Sequence, residues 1–134
     1  MARLILDTGV LVEAVRGRLD LGSLVEGGDV ALPAVVLAEY LTGVELDGDP
    51  ARQAAQRAFL DELLAVTPVV DYSRGVAQHH AVLLAHVRRA GRRPGAHDLI
   101  IAATARATDR VLLSTDRQAG FDDLPEVRAR IVPV

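Results

Sequence analysis

Short apolar segments typical of buried β-strands alternate along this chain with longer segments typical of α-helices. The strand segments cover residues 3–6, 30–32, 69–70, 111–114 and 131–132. The helical segments cover residues 9–16, 34–43, 51–65, 74–90 and 98–107, with a short additional segment at 20–26. Alternating strands and helices build mainly parallel sheets covered on both faces. The alternation therefore predicts one α/β domain over residues 1–134 with a mainly parallel central sheet.

Two helical segments carry more specific local signals. Ser73 precedes segment 74–90, where its hydroxyl can accept a hydrogen bond from a free backbone N–H and begin the helix. Segment 51–65 has one apolar stripe, and its polar side chains lie away from that stripe. The stripe consists of Ala54, Ala55, Ala58, Phe59 and Leu63. Such a stripe ordinarily packs against the core, so we expect these five residues to be covered.

The composition excludes several classes of chemistry. The 134 residues contain no cysteine, which excludes disulfides, thiol nucleophiles and cysteine-based zinc sites and suits a reducing compartment. All 15 basic residues are arginines. The lack of lysine excludes Schiff-base catalysis and the phosphate-binding loop that ends in Gly-Lys-Ser/Thr. The net charge of −3 does not by itself indicate a nucleic-acid-binding protein.

The chain also lacks the usual signals for export or membrane insertion. Asp7 interrupts the amino-terminal apolar segment before a signal-peptide core can form. No apolar run approaches the roughly 18 to 20 residues that span a bilayer. We therefore expect a cytoplasmic protein that is not embedded in a membrane.

Four acidic residues occupy positions that solvation alone does not explain. Asp7 ends the first strand segment, and Asp116 closely follows the segment at 111–114. Glu39 and Asp98 lie on helical faces with apolar neighbours. Ligands of open parallel sheets bind beyond the carboxyl ends of the strands. The four positions predict one acidic site there, although Asp98 alone would also suit the positive end of a helix dipole.

Grouped carboxylates favour a hard divalent cation. Mg²⁺ takes oxygen ligands, keeps several waters and typically uses one or two direct carboxylates. Such an ion can align a phosphodiester and generate a hydroxide from water. Zinc is less favoured, because the histidines lack a metal-binding spacing and are expected to be exposed or capping residues. They are His79, His80, His86 and His97.

Four sequence motifs in order resemble the PIN-domain ribonucleases, and specifically the VapC-type toxins of bacterial toxin–antitoxin pairs. The motifs are Leu-Ile-Leu-Asp-Thr-Gly-Val-Leu at 4–11, Ala-Glu-Tyr at 38–40, His-Asp-Leu-Ile-Ile-Ala-Ala-Thr-Ala at 97–105 and Leu-Leu-Ser-Thr-Asp-Arg at 112–117. Each motif alone is a weak signal, but the four together cover nearly the whole chain. The resemblance implies a three-layer α/β/α domain.

The resemblance also implies an activity and a set of site residues. The activity is Mg²⁺- or Mn²⁺-dependent endonucleolytic cleavage of RNA. The family's acids correspond to Asp7, Glu39, Asp98 and Asp116. Of these, Asp7, Asp98 and Asp116 would bind the metal, and Glu39 would bind metal or orient the attacking water. The family often has asparagine at the position of Asp116.

Two hydroxyl side chains and two partners follow from the same resemblance. Ser114 corresponds to the small hydroxyl residue of the last motif, and Thr8 becomes the other hydroxyl partner of the metal site. Gly9 stands where the family often carries serine or asparagine. The expected partners are a second copy of the chain, bound through helix 51–65 or 34–43, and a VapB-type antitoxin. The antitoxin's carboxyl-terminal segment would occupy the active-site groove.

A dense basic run precedes the third acidic motif. It contains Arg88, Arg89, Arg92 and Arg93. An acidic site repels phosphates, so the substrate needs positive side chains nearby, and we expect these arginines to contact the RNA backbone. Arg16 and Arg18 are weaker candidates. The alternative explanations of the run are a solvated helix end, whose arginines favour the helix dipole, and a surface that contacts the antitoxin.

Other functions are compatible with parts of the pattern. The main alternative is a catalytically inactive PIN-like module that binds RNA or protein, although retention of all four acids argues against it. A phosphoacceptor receiver domain also has an acidic pocket in an α/β fold, but its signalling lysine is absent. Gly9 removes the Asp-x-Asp pattern of haloacid-dehalogenase-type phosphatases. Cleavage of RNA with Mg²⁺, compared with EDTA, separates the nuclease from the inactive module.

Overall fold

A computed structural model describes residues 1–92 and 95–134, and its elements follow the predicted alternation. The strands are β1 (Arg3–Leu6), β2 (Asp29–Pro33), β3 (Val69–Val70), β4 (Val111–Ser114) and β5 (Ala129–Ile131). The helices are α1 (Thr8–Val15), α2 (Leu21–Leu24), α3 (Ala34–Leu46), α4 (Pro50–Val66), α5 (Arg74–Arg89) and α6 (Ala96–Ala107). A short 3-10 turn covers Phe121–Asp123.

The five strands form one sheet in the order β3-β2-β1-β4-β5, and every pairing is parallel. The central strand β1 pairs with β2 on one side and with β4 on the other. Leu6, the last residue of β1, is in register with Leu113 of β4. All strands therefore end at the same edge of the sheet. This confirms the predicted α/β fold with a parallel central sheet.

The core is mainly aliphatic, in keeping with the low aromatic content, and Tyr40 and Phe121 are its buried aromatic residues. Leu4, Ile5 and Leu6 of β1 are all buried, because helices cover both faces of the sheet. Burial of each such side chain contributes about 1.5–3 kcal/mol relative to exposure. Helix α6 is buried on most of its surface, from Leu99 to Ala105. Helix α5 packs against it on one side, and α3 contacts it on another.

The boundaries of several elements differ from the predicted ones by a few residues. Helix α3 continues to Leu46, three residues beyond the predicted end. The last strand covers Ala129–Ile131 rather than 131–132. Ser73 begins α5 as predicted, and its Oγ accepts a hydrogen bond of 3.2 Å from the backbone N–H of Val76. None of the helices within residues 1–92 and 95–134 is long and apolar enough to cross a membrane.

The expected apolar stripe of α4 is only partly correct. Phe59 and Leu63 are partly buried against the core, but the fully buried residue of this helix is Leu60. The three small residues of the stripe are exposed, namely Ala54, Ala55 and Ala58. A helix rests on the core through its longest apolar side chains, so the alanines lie on the rim of the contact.

Candidate active site

Asp7 lies at the junction between β1 and α1, at the carboxyl edge of the sheet. It begins α1, and its Oδ1 accepts a hydrogen bond of 2.8 Å from the backbone N–H of Thr8. The residue is only 7% exposed although it carries an ionisable group. Buried carboxylates require hydrogen bonds or a cation. The apolar strand before it and the helix after it therefore hold Asp7 in a position that solvation does not explain.

Ser114 connects Asp7 to the loop that carries Asp116. The serine is fully buried at the end of β4, where its Oγ donates to Asp7 Oδ2 over 2.7 Å. The same Oγ accepts a 3.0 Å hydrogen bond from the backbone N–H of Asp116. One hydroxyl thus uses its donor and an acceptor site at once. This arrangement holds the ends of β1 and β4 together.

Glu39 of α3 is held through both of its carboxylate oxygens. Thr8 Oγ1 donates to Oε1 over 2.7 Å, and the ring of His97 places its Nδ1 3.2 Å from Oε2. A carboxylate only accepts hydrogen bonds, so Nδ1 must carry the proton in this contact. The sequence predicted that the Thr8 hydroxyl would be a partner of the metal site. In the structure this hydroxyl donates to Glu39, one of the four acids.

Asp98 lies in the first turn of α6, directly after His97. Helix α6 begins at Gly95, which offers no side-chain cap. A Cβ atom at position 95 would lie 3.0 Å from Asp98 Oδ2, so the glycine leaves room for the carboxylate to fold back over the helix start. This position combines the positive end of the helix dipole with the acidic edge of the sheet.

Hydrogen bonds from Thr8, His97 and Ser114, together with positions next to one another in the chain, connect the four acids. Thr8 follows Asp7 in the chain and binds Glu39, and His97 precedes Asp98 and also binds Glu39. Ser114 binds Asp7 and the backbone of Asp116. The predicted acids and both predicted hydroxyls are therefore brought together. We call Asp7, Glu39, Asp98 and Asp116 the acidic cleft.

The charges of the acidic cleft oppose one another. Burial raises the pKa of Asp7, and the nearby charges of Glu39 and Asp116 raise it further, while hydrogen bonds from Ser114 and Thr8 act in the opposite direction. Burial also raises the pKa of Asp98, and Asp7, Asp116 and Glu39 add to that effect. Repulsion among ionised carboxylates favours proton uptake or cation binding.

The donor set suits a hydrated hard cation. Across residues 1–92 and 95–134, no group of three or more histidine, aspartate or glutamate side chains is arranged so that it could hold a metal ion. Mg²⁺ commonly binds proteins through one or two carboxylates and several waters. Burial and the neighbouring carboxylates raise the pKa of Asp7 and of Asp98, and hydroxyl donors hold Asp7 and Glu39, which fits that mode of binding.

Asp116 differs from the other three acids in its environment. It is exposed, and its Oδ1 accepts hydrogen bonds from the backbone N–H groups of Gln118 and Ala119, at 2.9 and 3.2 Å. These contacts are those of an aspartate that stabilises a turn. Its carboxylate still lies near enough to Asp7 and Asp98 to raise the pKa of both. Asp116 therefore combines a local turn with a place in the acidic cleft.

The basic run lies at the end of α5. Arg88 and Arg89 are exposed in the last helical turn, where positive charge suits the helix dipole. Arg92 lies 3.8 Å from Asp123 in an ion pair, and Arg93 lies outside the described residues. Of the weaker candidates, Arg18 lies 3.7 Å from Glu13. Arg16 is exposed and lines a cavity of about 500 Å³ between α1, α3 and α4.

His97 is the site residue that the sequence reasoning missed. It was expected to be an exposed or capping residue, and its side chain is indeed 59% exposed, but its ring contacts Glu39. The only available signal was its position next to Asp98. The contact joins residues 58 positions apart, so no local pattern indicates it.

Comparisons with known proteins agree with the fold and the motifs. The profile of the family described as PIN domain matches residues 4–127. The ribonuclease VapC of Rickettsia bellii is 23% identical over 131 residues, which cover 98% of this chain and 97% of that protein. The tRNA(fMet)-specific endonuclease VapC of Shigella flexneri is 26% identical over 123 residues, covering 87% and 88% of the two proteins.

Solved structures give the same result for the fold. A chain of the Rickettsia felis VapBC2 structure, bound to a promoter DNA fragment, matches with a TM-score of 0.85 at 23% identity, covering 97% of this chain and 98% of that chain. A chain of the VapBC-5 toxin–antitoxin structure from Mycobacterium tuberculosis matches with a TM-score of 0.76 at 25% identity, covering 100% of both chains.

Proposed function

The chain belongs to the PIN-domain family, and we propose that it is a metal-dependent endoribonuclease that acts as the toxin of a toxin–antitoxin pair. The observation that carries this proposal is the acidic cleft, which gathers four acidic side chains at the carboxyl edge of the sheet, with Asp7 and Glu39 held by hydrogen bonds from Ser114, Thr8 and His97. Relatives named as ribonucleases and as a tRNA-specific endonuclease support RNA as the substrate class.

Each residue of the cleft has a proposed role. Asp7, Asp98 and Asp116 would hold Mg²⁺ or Mn²⁺, and Glu39 would contribute to binding or orient the attacking water. When bound, such an ion supplies an activated water and stabilises charge on the cleaved phosphodiester. Ser114 keeps Asp7 in place, and Thr8 keeps Glu39 in place, through hydrogen bonds of 2.7 Å. Both hydroxyls therefore act by orienting carboxylates.

The decisive experiment is cleavage of RNA by the purified protein. A mixture of cellular RNAs is incubated with Mg²⁺, with Mn²⁺ or with EDTA, and the fragments are sequenced to locate the cut sites. We expect defined cleavage with either metal and none with EDTA. The Asp98→Asn variant, purified in parallel, controls for contaminating nucleases. Binding of RNA without any metal-dependent cleavage by the parent protein would instead identify a catalytically inactive binding module.

We propose that a VapB-type antitoxin silences the nuclease. The similar structures from Rickettsia felis and Mycobacterium tuberculosis are of VapBC assemblies, which supports this partner class. An arginine of the antitoxin entering the acidic cleft would neutralise its excess negative charge. Expression of the chain in a bacterial host should arrest the growth of the host. Co-expression of a small antitoxin encoded by the adjacent gene should restore growth. Growth arrest by Asp98→Asn would contradict a toxic activity located in this cleft.

We also propose a homodimer. Exposed large apolar side chains on α3 and α4 support it: Leu46 is 80% exposed and Val66 is 81% exposed. The exposed alanines of α4 add small apolar side chains that allow a helix to approach closely. A mass measurement in solution over a range of concentrations tests the proposal. A monomer mass at every concentration would contradict it.

The arginines Arg88, Arg89, Arg92 and Arg93 are proposed to contact the RNA backbone. Arg88 and Arg89 are exposed, so both can reach phosphates. Their joint replacement by alanine should weaken RNA binding by less than about tenfold and reduce the slope of affinity against salt by about two. Arg3→Ala with Arg128→Ala removes the same charge at the amino-terminal edge and is the matched control. Unchanged affinity and slope in the Arg88–Arg89 variant would remove these two residues from the interface.

A further inference from the structure

His97 contacts one acid of the cleft, Glu39, and adjoins a second, Asp98, in the chain. Its Nδ1 lies 3.2 Å from Glu39 Oε2, and the next residue is Asp98. The geometry points to His97 as a positioning residue that fixes Glu39 relative to Asp98. This inference rests on the proposed nuclease function, since its effect on catalysis is exerted through Glu39.

The contacts of Glu39 explain why His97 matters. Each carboxylate oxygen accepts one hydrogen bond from the protein, Oε1 from Thr8 and Oε2 from His97. Since a carboxylate has about four acceptor sites, each oxygen retains one for a water or an ion. Two donors from different helices hold the carboxylate plane, and one donor alone would leave it free to rotate. Loss of His97 therefore leaves Glu39 present but disordered.

The chain positions of the two donors link Glu39 to the rest of the cleft. Thr8 adjoins Asp7, so its hydrogen bond sets the distance between α3 and the start of α1. His97 adjoins Asp98, so its hydrogen bond sets the distance between α3 and the start of α6. A neutral ring with its proton on Nδ1 is sufficient for this contact, because a neutral N–H donates to a carboxylate. The role therefore does not require a charged imidazole.

The test compares two replacements of His97. Leucine removes the donor, whereas asparagine places an amide N–H close to the position of Nδ1. Displacement of a catalytic group by about 1 Å can cost up to about a hundredfold in rate. We expect His97→Leu to lower kcat for RNA cleavage about tenfold with KM changed less than about twofold, and His97→Asn to remain within about threefold of the parent. His79→Leu makes the same chemical change on α5 and serves as the control.

A double-mutant cycle shows whether His97 acts through Glu39. In a Glu39→Ala background, His97→Leu should cause no further loss of kcat, because effects of residues that act as a unit are not additive. The inference would be overturned if the two losses were additive or if kcat were unchanged in His97→Leu. It would also be overturned if asparagine failed to restore kcat, or if His97→Leu raised KM alone. The last result would identify a direct contact with RNA instead.

Crystal structures separate this inference from the proposed function. Glu39 should adopt one conformer in the parent protein and in His97→Asn, and should be displaced or disordered in His97→Leu. If the parent protein cleaves no RNA but Glu39 moves as expected, the nuclease proposal fails and the positioning contact stands. If the parent protein cleaves RNA and Glu39 stays in place in His97→Leu, the positioning role is wrong and the nuclease proposal stands. Thermal melts of all variants exclude unfolding as the cause.

Discussion

At the amino-terminal edge of the sheet charged side chains are paired with opposite charges, whereas at the carboxyl-terminal edge acidic side chains are grouped with like charges. Arg110 is 9% exposed, and its NH1 donates to the backbone oxygens of Leu4 and Asp29 and to Asp29 Oδ1, at 3.2, 2.7 and 3.1 Å. Arg3 binds the other carboxylate oxygen of Asp29 over 3.2 Å. At this edge Arg110 and Arg3 both pair with Asp29, although Arg110 Nε is buried without a hydrogen-bond partner.

The acidic cleft at the other edge is left with excess negative charge. Within residues 1–92 and 95–134, none of its four acids forms an ion pair with an arginine, and only neutral donors and His97 contact them. The same fold therefore pairs charges at one edge and leaves carboxylates without an arginine partner at the other. Substitutions at the two edges should accordingly separate loss of activity from loss of stability.

The largest effect is expected in the acidic cleft. Asp7→Asn or Asp98→Asn should reduce Mg²⁺-dependent RNA cleavage about a thousandfold, the scale on which groups that stabilise transition-state charge act. The metal-free variants should be as stable as the parent or more stable, because each removes one of the repelling carboxylates. Rate measurements and thermal melts without metal check both parts. Cleavage at the parental rate by either variant would contradict the assignment of the site.

The next effect is expected at the opposite edge. Arg110→Met leaves Asp29 and two backbone oxygens without their buried donor, so it should lower the free energy of unfolding by about 2–3 kcal/mol. Arg128→Met, which removes an exposed ion pair with Asp109, should cost less than about 1 kcal/mol. Denaturant titrations compare the two variants. Equal losses in the two variants would mean that the contribution of an ion pair to stability at this edge does not depend on its burial.

A smaller effect is expected at the contact between Gly9, near the start of α1, and Thr115, directly after β4. A Cβ atom at Gly9 would lie far inside the contact distance of Thr115 Oγ1, but 3.5 Å from Thr115 Cβ, which is ordinary contact. Gly9→Ala should therefore push the start of α1 away from the end of β4 and slow cleavage about tenfold.

A second substitution provides the control for that contact. Adding Thr115→Ala should restore cleavage to the Gly9→Ala variant, because it removes the clashing oxygen. Adding Thr115→Val should not, because a methyl group then occupies the same space. Cleavage assays and melts of the three variants check the prediction. Restoration by valine as well as by alanine would show that the hydroxyl's volume is not the cause.

The smallest effect concerns pH. Since the pKa values of Asp7 and Asp98 are raised in the folded protein above the ordinary 3.8, the folded state holds more protons than the unfolded state above that pH. Their contribution to stability is present below about pH 3.8 and is lost as the pH rises through the raised values. In the metal-free protein this loss should be smaller after Asp7→Asn and Asp98→Asn. Denaturant midpoints measured from pH 4 to 7 give the comparison, and parallel curves would contradict it.

The positions of the acids along the chain were predictable because they depend on local pattern. Asp7 follows three apolar strand residues, and in a parallel sheet every strand end lies at one edge. Their hydrogen-bond partners were less predictable. Ser114 and Thr8 were expected to bind near the metal, and the structure shows which carboxylate each one holds. The exposure of Asp116 and its turn contacts were not indicated by the sequence.

The sequence by itself determined the alternation of strands and helices, the parallel sheet and the shared edge at which the four acids lie, because these follow from periodicity and from neighbours in the chain. The tertiary structure alone decided that His97 contacts Glu39, that Thr115 packs against Gly9 and that the alanines of α4 stay exposed. Each of these contacts depends on how helices and strands from distant parts of the chain pack against one another. Side-chain volume and hydrogen-bond geometry determine that packing, and they act only once the distant segments are in contact.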